Sequence, residues 1–468
     1  MLFTIDIGTS TFKAALWDFN GKRLSYDEKP LSIIKNDGMK HEADPKSWED
    51  AFFECCKKCG KKIGKLSKVE AIVISGNGPS LVPVYEDGRH ENARLWLDRR
   101  ASEYTEEITH KAGSCADAKF FIPKIYYIKK EENEIYKNTK YFLGCPEYLA
   151  FLLTGQAKTV FPCDGFDFWF WNDDLLRKLD LDNEKFPPFI RPADVFGELN
   201  DNIAKRFGFS KNIPVVSGGP DFFAAILGSG VTQAGMACCR TGSSEGINLC
   251  SNNYVNDKRL MSYMHPVKPF WNLSGTINTT GKAIEWASDI LNVKTFDDFI
   301  SLAKKSEPGS KGLVFKPYLA GAHAPHWDAL IKGSMQGLGL SAGRGEFASS
   351  VLEGIGFAIK DIILAMEESG EKLNALHVTG GLSKCAHLNQ IKADITGVCV
   401  KEGVYKEAEL LGLAIIGSVF LGKYSSYKEA CDRMVKIEKE YSPNNQNNAL
   451  YNNLFNVYKK SRDQGAEN

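Results

Sequence analysis

An apolar run opens the chain, where Leu2, Phe3, Ile5 and Ile7 flank a single acid, Asp6. Such a run, closed by the turn Gly8-Thr9-Ser10-Thr11, predicts a buried strand. A second strand is predicted over 12–17, and Asn20-Gly21 marks a hairpin into a third. Four more runs, 69–78, 213–219, 235–242 and 375–381, are short, apolar and end in glycine. Each predicts a strand that runs into a turn where backbone can approach a ligand. Apolar residues at helical spacing predict helices over 221–227, 345–368, 388–396 and 408–421, and a last helix in the polar tail 441–468. Strands and helices mix throughout, which predicts the α/β class. The strand–GTST–strand pattern at the start is echoed near residue 235 by strand–TGSSEG–strand. Two such hairpins predict duplicated α/β domains, 1–229 and 230–468, hinged at Gly228-Ser229-Gly230, with ligands in the crevice between the halves.

Chemistry gathers at the glycine turns. Backbone amides and the hydroxyls of the first turn can wrap phosphate oxygens. Asp6, at the end of its strand, would face those phosphates and needs a counter-cation, most simply Mg²⁺. Residues 213–230 predict a strand, Gly218-Gly219, then Pro220 and Asp221 at a helix N-terminus, where the dipole favours an ionised carboxylate. Such a carboxylate suits acceptance of a hydroxyl proton during phosphoryl transfer. Ser243-Ser244 offers a second set of hydroxyls and amides, and Gly380-Gly381 admits a flat ligand such as adenosine. Taken singly, these pieces also read as an N-terminal β-meander, a helix-stabilising acid and ordinary Gly/Ser turns. Two commoner nucleotide patterns fail: Gly275 to Gly281 encloses five residues where a Walker A loop needs four, and 337–342 lacks the apolar strand of a dinucleotide fingerprint.

Composition narrows the class. The 58 basic and 58 acidic residues balance, so no global field attracts nucleic acid or an anionic membrane. No apolar run reaches membrane-span length, and Met1 leads into the first strand without a signal-peptide pattern. A cytoplasmic protein with reduced thiols is therefore expected, although the chain holds 12 cysteines. Cys55, Cys56 and Cys59 fall on a helical pattern without a second ligand pair, so buried helical cysteines are expected rather than a metal site.

The ordered set DIGTS (6–10), LWLDRRA (95–101), GGPDFFAAILGSG (218–230), TGSSEG (241–246), PYLAGAHAPHWD (317–328), VLEGIGFAIKD (351–361) and GGLSK (380–384) with NQIKADITG (389–397) resembles the FGGY family of carbohydrate kinases over nearly the whole chain, most of all its xylulokinase-like branch. The resemblance implies two actin-like (ribonuclease H-like) ATPase domains facing each other across an interdomain cleft, and ATP-dependent phosphorylation of a sugar or polyol hydroxyl. It implies Asp221 as catalytic base and Asp6 as the acid near Mg²⁺. Thr9, Ser10 and Lys13 match the first phosphate loop, Gly242, Ser243 and Ser244 the second, and Gly380 and Gly381 the adenosine-binding glycines. Trp96 and Asp98 match a segment lining the sugar pocket, and a homodimer is compatible with the family.

The departures bear on substrate. Phe222 follows the base where the family usually carries Asn or Gln, and Asn77-Gly78 replaces both the Met-His pair of xylulokinases and the Arg-Glu pair of glycerol kinases. A ketopentose such as D-xylulose is the expected acceptor, with another sugar, a polyol or an aldonate as alternatives. Asp164 is a further hydroxyl acceptor, and the aromatic run 166–171 offers rings for a sugar face or for packing. A non-kinase actin-like ATPase, or an idle homologue that senses a sugar, is the rival of another class.

Overall fold

The computed structural model describes all residues except 65, 114–115, 167–169 and 464–468. Its contacts divide the chain into two compact units. The first is Met1–Gly228 with Glu409–Met434, and the second is Ser229–Ala408 with Val435–Asn468. A single cut near residue 229 therefore misses a return segment: residues 409–434 belong to the first unit, not the second.

The first unit is built on a six-stranded mixed sheet. Its strands are β1 (Leu2–Ile7), β2 (Thr11–Trp17), β3 (Arg23–Pro30), β4 (Ala71–Gly76), β5 (Val195–Glu198) and β6 (Pro214–Ser217), in the order β5-β6-β4-β1-β2-β3. β1 and β2 form the expected hairpin, with Asp6 opposite Lys13, and β4 lies parallel to both β1 and β6. β1 and β4 are buried at every residue, which is why they read as near-continuous apolar runs. The helix Pro45–Ile63 covers this sheet; Asp44 caps its start and Gly64, in the left-handed region, ends it. Cys55, Cys56 and Cys59 are buried in that packing, as their spacing predicts. A second, five-stranded sheet carries Leu81–Tyr85 and Thr139–Gly144 and delivers the helix Cys145–Thr154.

The second unit repeats the plan. Its strands are β7 (Met236–Thr241), β8 (Glu245–Ser251), β9 (Met261–Met264), β10 (Trp271–Ile277), β11 (Ala375–Thr379), β12 (Cys399–Gly403) and β13 (Ile437–Tyr441), in the order β9-β10-β8-β7-β11-β12-β13. Here too an antiparallel hairpin, β7–β8, is followed by two parallel strands, β11 and β12, and an antiparallel edge. The long helix Arg344–Glu368 supplies much of its core. Among the described residues no helix is long and apolar enough to cross a membrane.

The return segment begins with the helix Ala408–Phe420, whose glycines make close approach possible. A Cβ at Gly412 would strike the Ala224 carbonyl oxygen, and one at Gly417 would meet the Leu2 and Val73 side chains at 2.8 Å. Cys431 Sγ donates to the Leu227 carbonyl at 3.2 Å, closing the same face. In an exposed helix Gly→Ala stabilises by about 1 kcal/mol. Gly412→Ala should instead cost about 1–3 kcal/mol by overpacking, read as a lower melting temperature in thermal unfolding.

Candidate functional site

Three parallel strands of the first unit, β1, β4 and β6, end side by side, and ligands of open α/β sheets bind outside such carboxyl ends. The turns that follow are knitted together. Asn77 donates its backbone N–H to the Ile7 carbonyl at 2.8 Å, Gly218 donates to Ile74 at 2.8 Å, and Ser75 Oγ donates to the Gly219 carbonyl at 2.7 Å. Gly219 has φ +70°, a conformation that suits glycine, and the helix Asp221–Gly228 starts directly after. Asp221 thus stands in the first turn of a helix that is buried from Phe223 onward.

A cavity of about 160 Å³ lies at these strand ends. Asn77, Gly78, Asp221 and Phe222, all expected on the substrate side, line it. Phe166 and Phe170 of the aromatic run line it too, whereas residues 167–169 of that run lie outside the described residues. Trp171 packs against Phe186 and Phe189, with centroids 5.0 Å away in each case.

Asp98 and Asp164 are not brought to the cavity. Asp98 is 1% exposed and gives its carboxylate to the Arg100 guanidinium and, at 2.9 Å, to the His41 N–H. Burial alone would raise its pKa, but these partners, the Arg100 guanidinium above all, outweigh burial and hold it below the usual carboxylate value. Asp164 is exposed and pairs with Arg191 at 3.2 Å. Trp96 instead braces the turn after β1, donating from Nε1 to Thr9 Oγ1 at 3.0 Å.

In the turn after β1, Gly8 donates to the Thr11 carbonyl at 3.0 Å, and the Ser10 carbonyl accepts from Leu31 at 2.8 Å, which shapes the turn and leaves Ser10 exposed. Asp6 is buried, and Lys13 Nζ lies 3.7 Å from its Oδ2. Burial pushes the Asp6 carboxyl up to about 7, Lys13 opposes that rise, and the charges of Glu409 and Asp221 add to it. Positions 6 and 221 therefore share one electrostatic neighbourhood. Sequence reasoning missed Glu409, which enters from the return helix and has a buried Oε2 without a hydrogen-bond partner. Its signal was an acid at the head of a Gly-containing apolar helix. Glu147 was missed as well. It lines the cavity from the first turn of the helix Cys145–Thr154, and burial pushes its carboxyl up to about 7.

In the second unit the two expected nucleotide turns are neighbours. β7 and β11 pair in parallel with Arg240 opposite Thr379, and Thr241 Oγ1 donates to the Thr379 carbonyl at 2.8 Å. Gly380, at φ +90°, lies so close to the Thr241 carbonyl that a Cβ would not fit. Gly381 has open space around it. The carbonyls of Gly242 and Ser243 accept from the N–H groups of Gly281 and Thr280, both at 2.9 Å, while the Ser243 and Ser244 side chains stay exposed. Beneath the turn, Glu245 pairs with Lys392, both fully buried.

Residues 1–228 match the N-terminal domain, and residues 237–421 the C-terminal domain, of the FGGY family of carbohydrate kinases. The chain belongs to that family. It is an ATP-dependent carbohydrate kinase of the FGGY fold. Over 474 residues it is 28% identical to the xylulose kinase of Staphylococcus epidermidis, covering 97% of this chain and 95% of that one. Among solved structures it resembles a ligand-bound xylulose kinase from Lactobacillus acidophilus, at TM-score 0.87 and 26% identity, covering 100% of this chain and 99% of that one. It also resembles a gluconate kinase from Lactobacillus acidophilus, at TM-score 0.86 and 25% identity, covering 99% and 97%.

The acidity of Asp6 gives a sign that can be checked. In the unfolded chain its carboxyl ionises near 3.8, and in this FGGY kinase only near 7, so between those values the folded state binds more protons. Its contribution to stability is fully present below about pH 4 and is lost as pH rises through about 7. Asp6→Asn should therefore gain on the parent protein as pH rises from 5 to 8, by about 2–4 kcal/mol at 1.36 kcal/mol per pKa unit. Thermal melting of both proteins without ligands reads this as a widening gap in the variant's favour.

Proposed function

We propose that the enzyme transfers the γ-phosphoryl group of ATP to a hydroxyl of a sugar of ketopentose size, bound in the cavity beside Asp221. The observation that supports this most directly is Asp221 itself, a carboxylate at a helix start, lining a cavity at the ends of three parallel strands. Asp221 orients the acceptor hydroxyl and takes its proton as the oxygen bonds to the γ-phosphorus. The bond from that phosphorus to the β–γ bridging oxygen breaks, and ADP leaves. In the first unit Thr9, Ser10 and Lys13 supply hydroxyls, amides and one ammonium for phosphate oxygens; within the second, Gly242, Ser243 and Ser244 offer hydroxyls and amides of the same kind. Gly380 and Gly381 take the adenosine.

The donor set suits a Mg²⁺ ion carried on the phosphates. Asp6 is a buried carboxylate with a single long lysine contact, and a buried oxygen of Glu409 lacks a partner. Among the described residues no cluster of three or more His, Cys, Asp or Glu could hold a metal alone, so phosphate oxygens and water would complete the shell. The ion would neutralise charge developing on the transferring group. Asp6 would reach it directly or through water.

The names of the xylulose kinases support a ketopentose such as D-xylulose as acceptor. An aldonate fits less well: the described cavity lining carries the carboxyls of Asp221 and Glu147 and no Lys, Arg or His. A cytoplasmic setting accords with a small-molecule kinase rich in buried thiols.

Asp221→Ala should lower phosphorylation by at least about 10³-fold while leaving ATP affinity within a few-fold, because the base acts on the acceptor alone. ADP release with product mass, alongside nucleotide titration calorimetry, checks both halves. Near-parental turnover in that variant removes Asp221 from the reaction.

A further inference from the structure

The acceptor cavity is walled largely by carbon. Phe222 stacks on Phe166 with centroids 6.3 Å apart and planes at 17°, and Phe223 braces Phe222 edge-on at 4.9 Å. Phe121 and Phe170 add a second pair of lining rings 5.9 Å apart, and Val160 and Pro162 line the cavity as well. Phe166, Phe121 and Phe170 are all buried, so the wall is packed rather than loose.

Among the described lining residues, the polar side chains other than Asp221 are largely engaged within the protein. Asn77 Nδ2 donates to the Ile7 carbonyl at 2.9 Å, and its Oδ1 accepts from Ser80 Oγ. Ser80 Oγ accepts in turn from the Trp96 N–H at 3.2 Å. Glu147 Oε1 accepts from the Val160 N–H at 3.2 Å. A sugar hydroxylated along its whole length would turn hydroxyls toward rings that offer no partner, losing water without replacement. A methyl or methylene group there meets a surface of its own kind.

We propose that the preferred acceptor is a deoxy ketose of five or six carbons, its reacting hydroxyl at Asp221 and a deoxygenated end against Phe166, Phe170 and Phe222. This rests on the kinase reading above and sharpens it, since the transfer step is unchanged and only the substrate class is named. Phe222 then sets specificity: it holds apolar surface at the position after the base.

The test measures kcat/KM by ADP release, with product mass, on the full-length protein with Mg-ATP. The acceptors are 1-deoxy-D-xylulose against D-xylulose, and a 6-deoxyketohexose against its parent ketohexose. In both deoxy compounds the methyl lies opposite a free primary hydroxyl. At least one deoxy acceptor should exceed its parent by about 10–100-fold, the range an apolar pocket achieves. Phe222→Asn should cut that ratio about tenfold with KM for ATP unchanged, and Phe222→Leu, which keeps the wall apolar, should preserve it. Parents used as well as or better than the deoxy acceptors overturn the inference and leave the kinase reading standing. A ratio unmoved by Phe222→Asn overturns the role of this wall. Should neither deoxy acceptor be phosphorylated, the inference falls. The kinase reading falls with it only when D-xylulose, D-gluconate and glycerol also give no phosphorylated product.

Discussion

Placing a carboxylate on a fully buried strand is costly, and much of the first unit is organised around Asp6. β1 is covered on both faces, so the Asp6 carboxyl finds little water and one ammonium, that of Lys13 on the paired strand. Two further acids, Asp221 and Glu409, approach from different parts of the sequence and raise the burden. An unliganded chain gains nothing from that concentration of negative charge. A polyphosphate bringing its own divalent cation would relieve it, in keeping with the kinase reading proposed above.

The second unit meets a related demand with a different device. Its Gly242-Ser243-Ser244 turn is followed by Glu245, whose charge is cancelled inside the core by Lys392. Lys392 rides on the helix Ala386–Thr396, which follows the Gly380-Gly381 turn. One buried ion pair therefore links the elements that carry the Gly242-Ser243-Ser244 and Gly380-Gly381 turns. Burying a pair adds little net stability, but it fixes the relative placement of the elements that carry it. Identical strand logic thus yields a charged, needy pocket in one unit and a neutralised, rigid platform in the other.

Much of this was legible in the sequence because glycine turns and apolar strands are local signals. The hairpin that carries Asp6, the GGPD helix start and the strand into Gly380 could each be read from adjacent residues. Asp98 and Asp164 show the limit of a motif. A neighbouring Arg100 takes the first and Arg191 the second, and neither choice is visible without coordinates. Glu409 and Glu147 escaped because their roles arise from packing, where distant segments bury an acid. The aromatic run hinted at an apolar surface, but the full wall of the cavity was hidden for the same reason. Phe121, Phe170 and Phe222 are far apart in sequence and become one wall only after folding.

The excursion of residues 409–434 also orders events in time. The helix Ala408–Phe420 fills a groove floored by Leu2, Val73 and Ala224, and Tyr424 reaches back to donate to the Phe19 carbonyl at 2.5 Å. On the ribosome, the N-terminal portion emerges long before the segment that seals it, leaving that apolar groove exposed while nearly two hundred intervening residues are made. A nascent chain of this design depends on chaperone shelter, or on a loosely held early state, until its closing piece arrives.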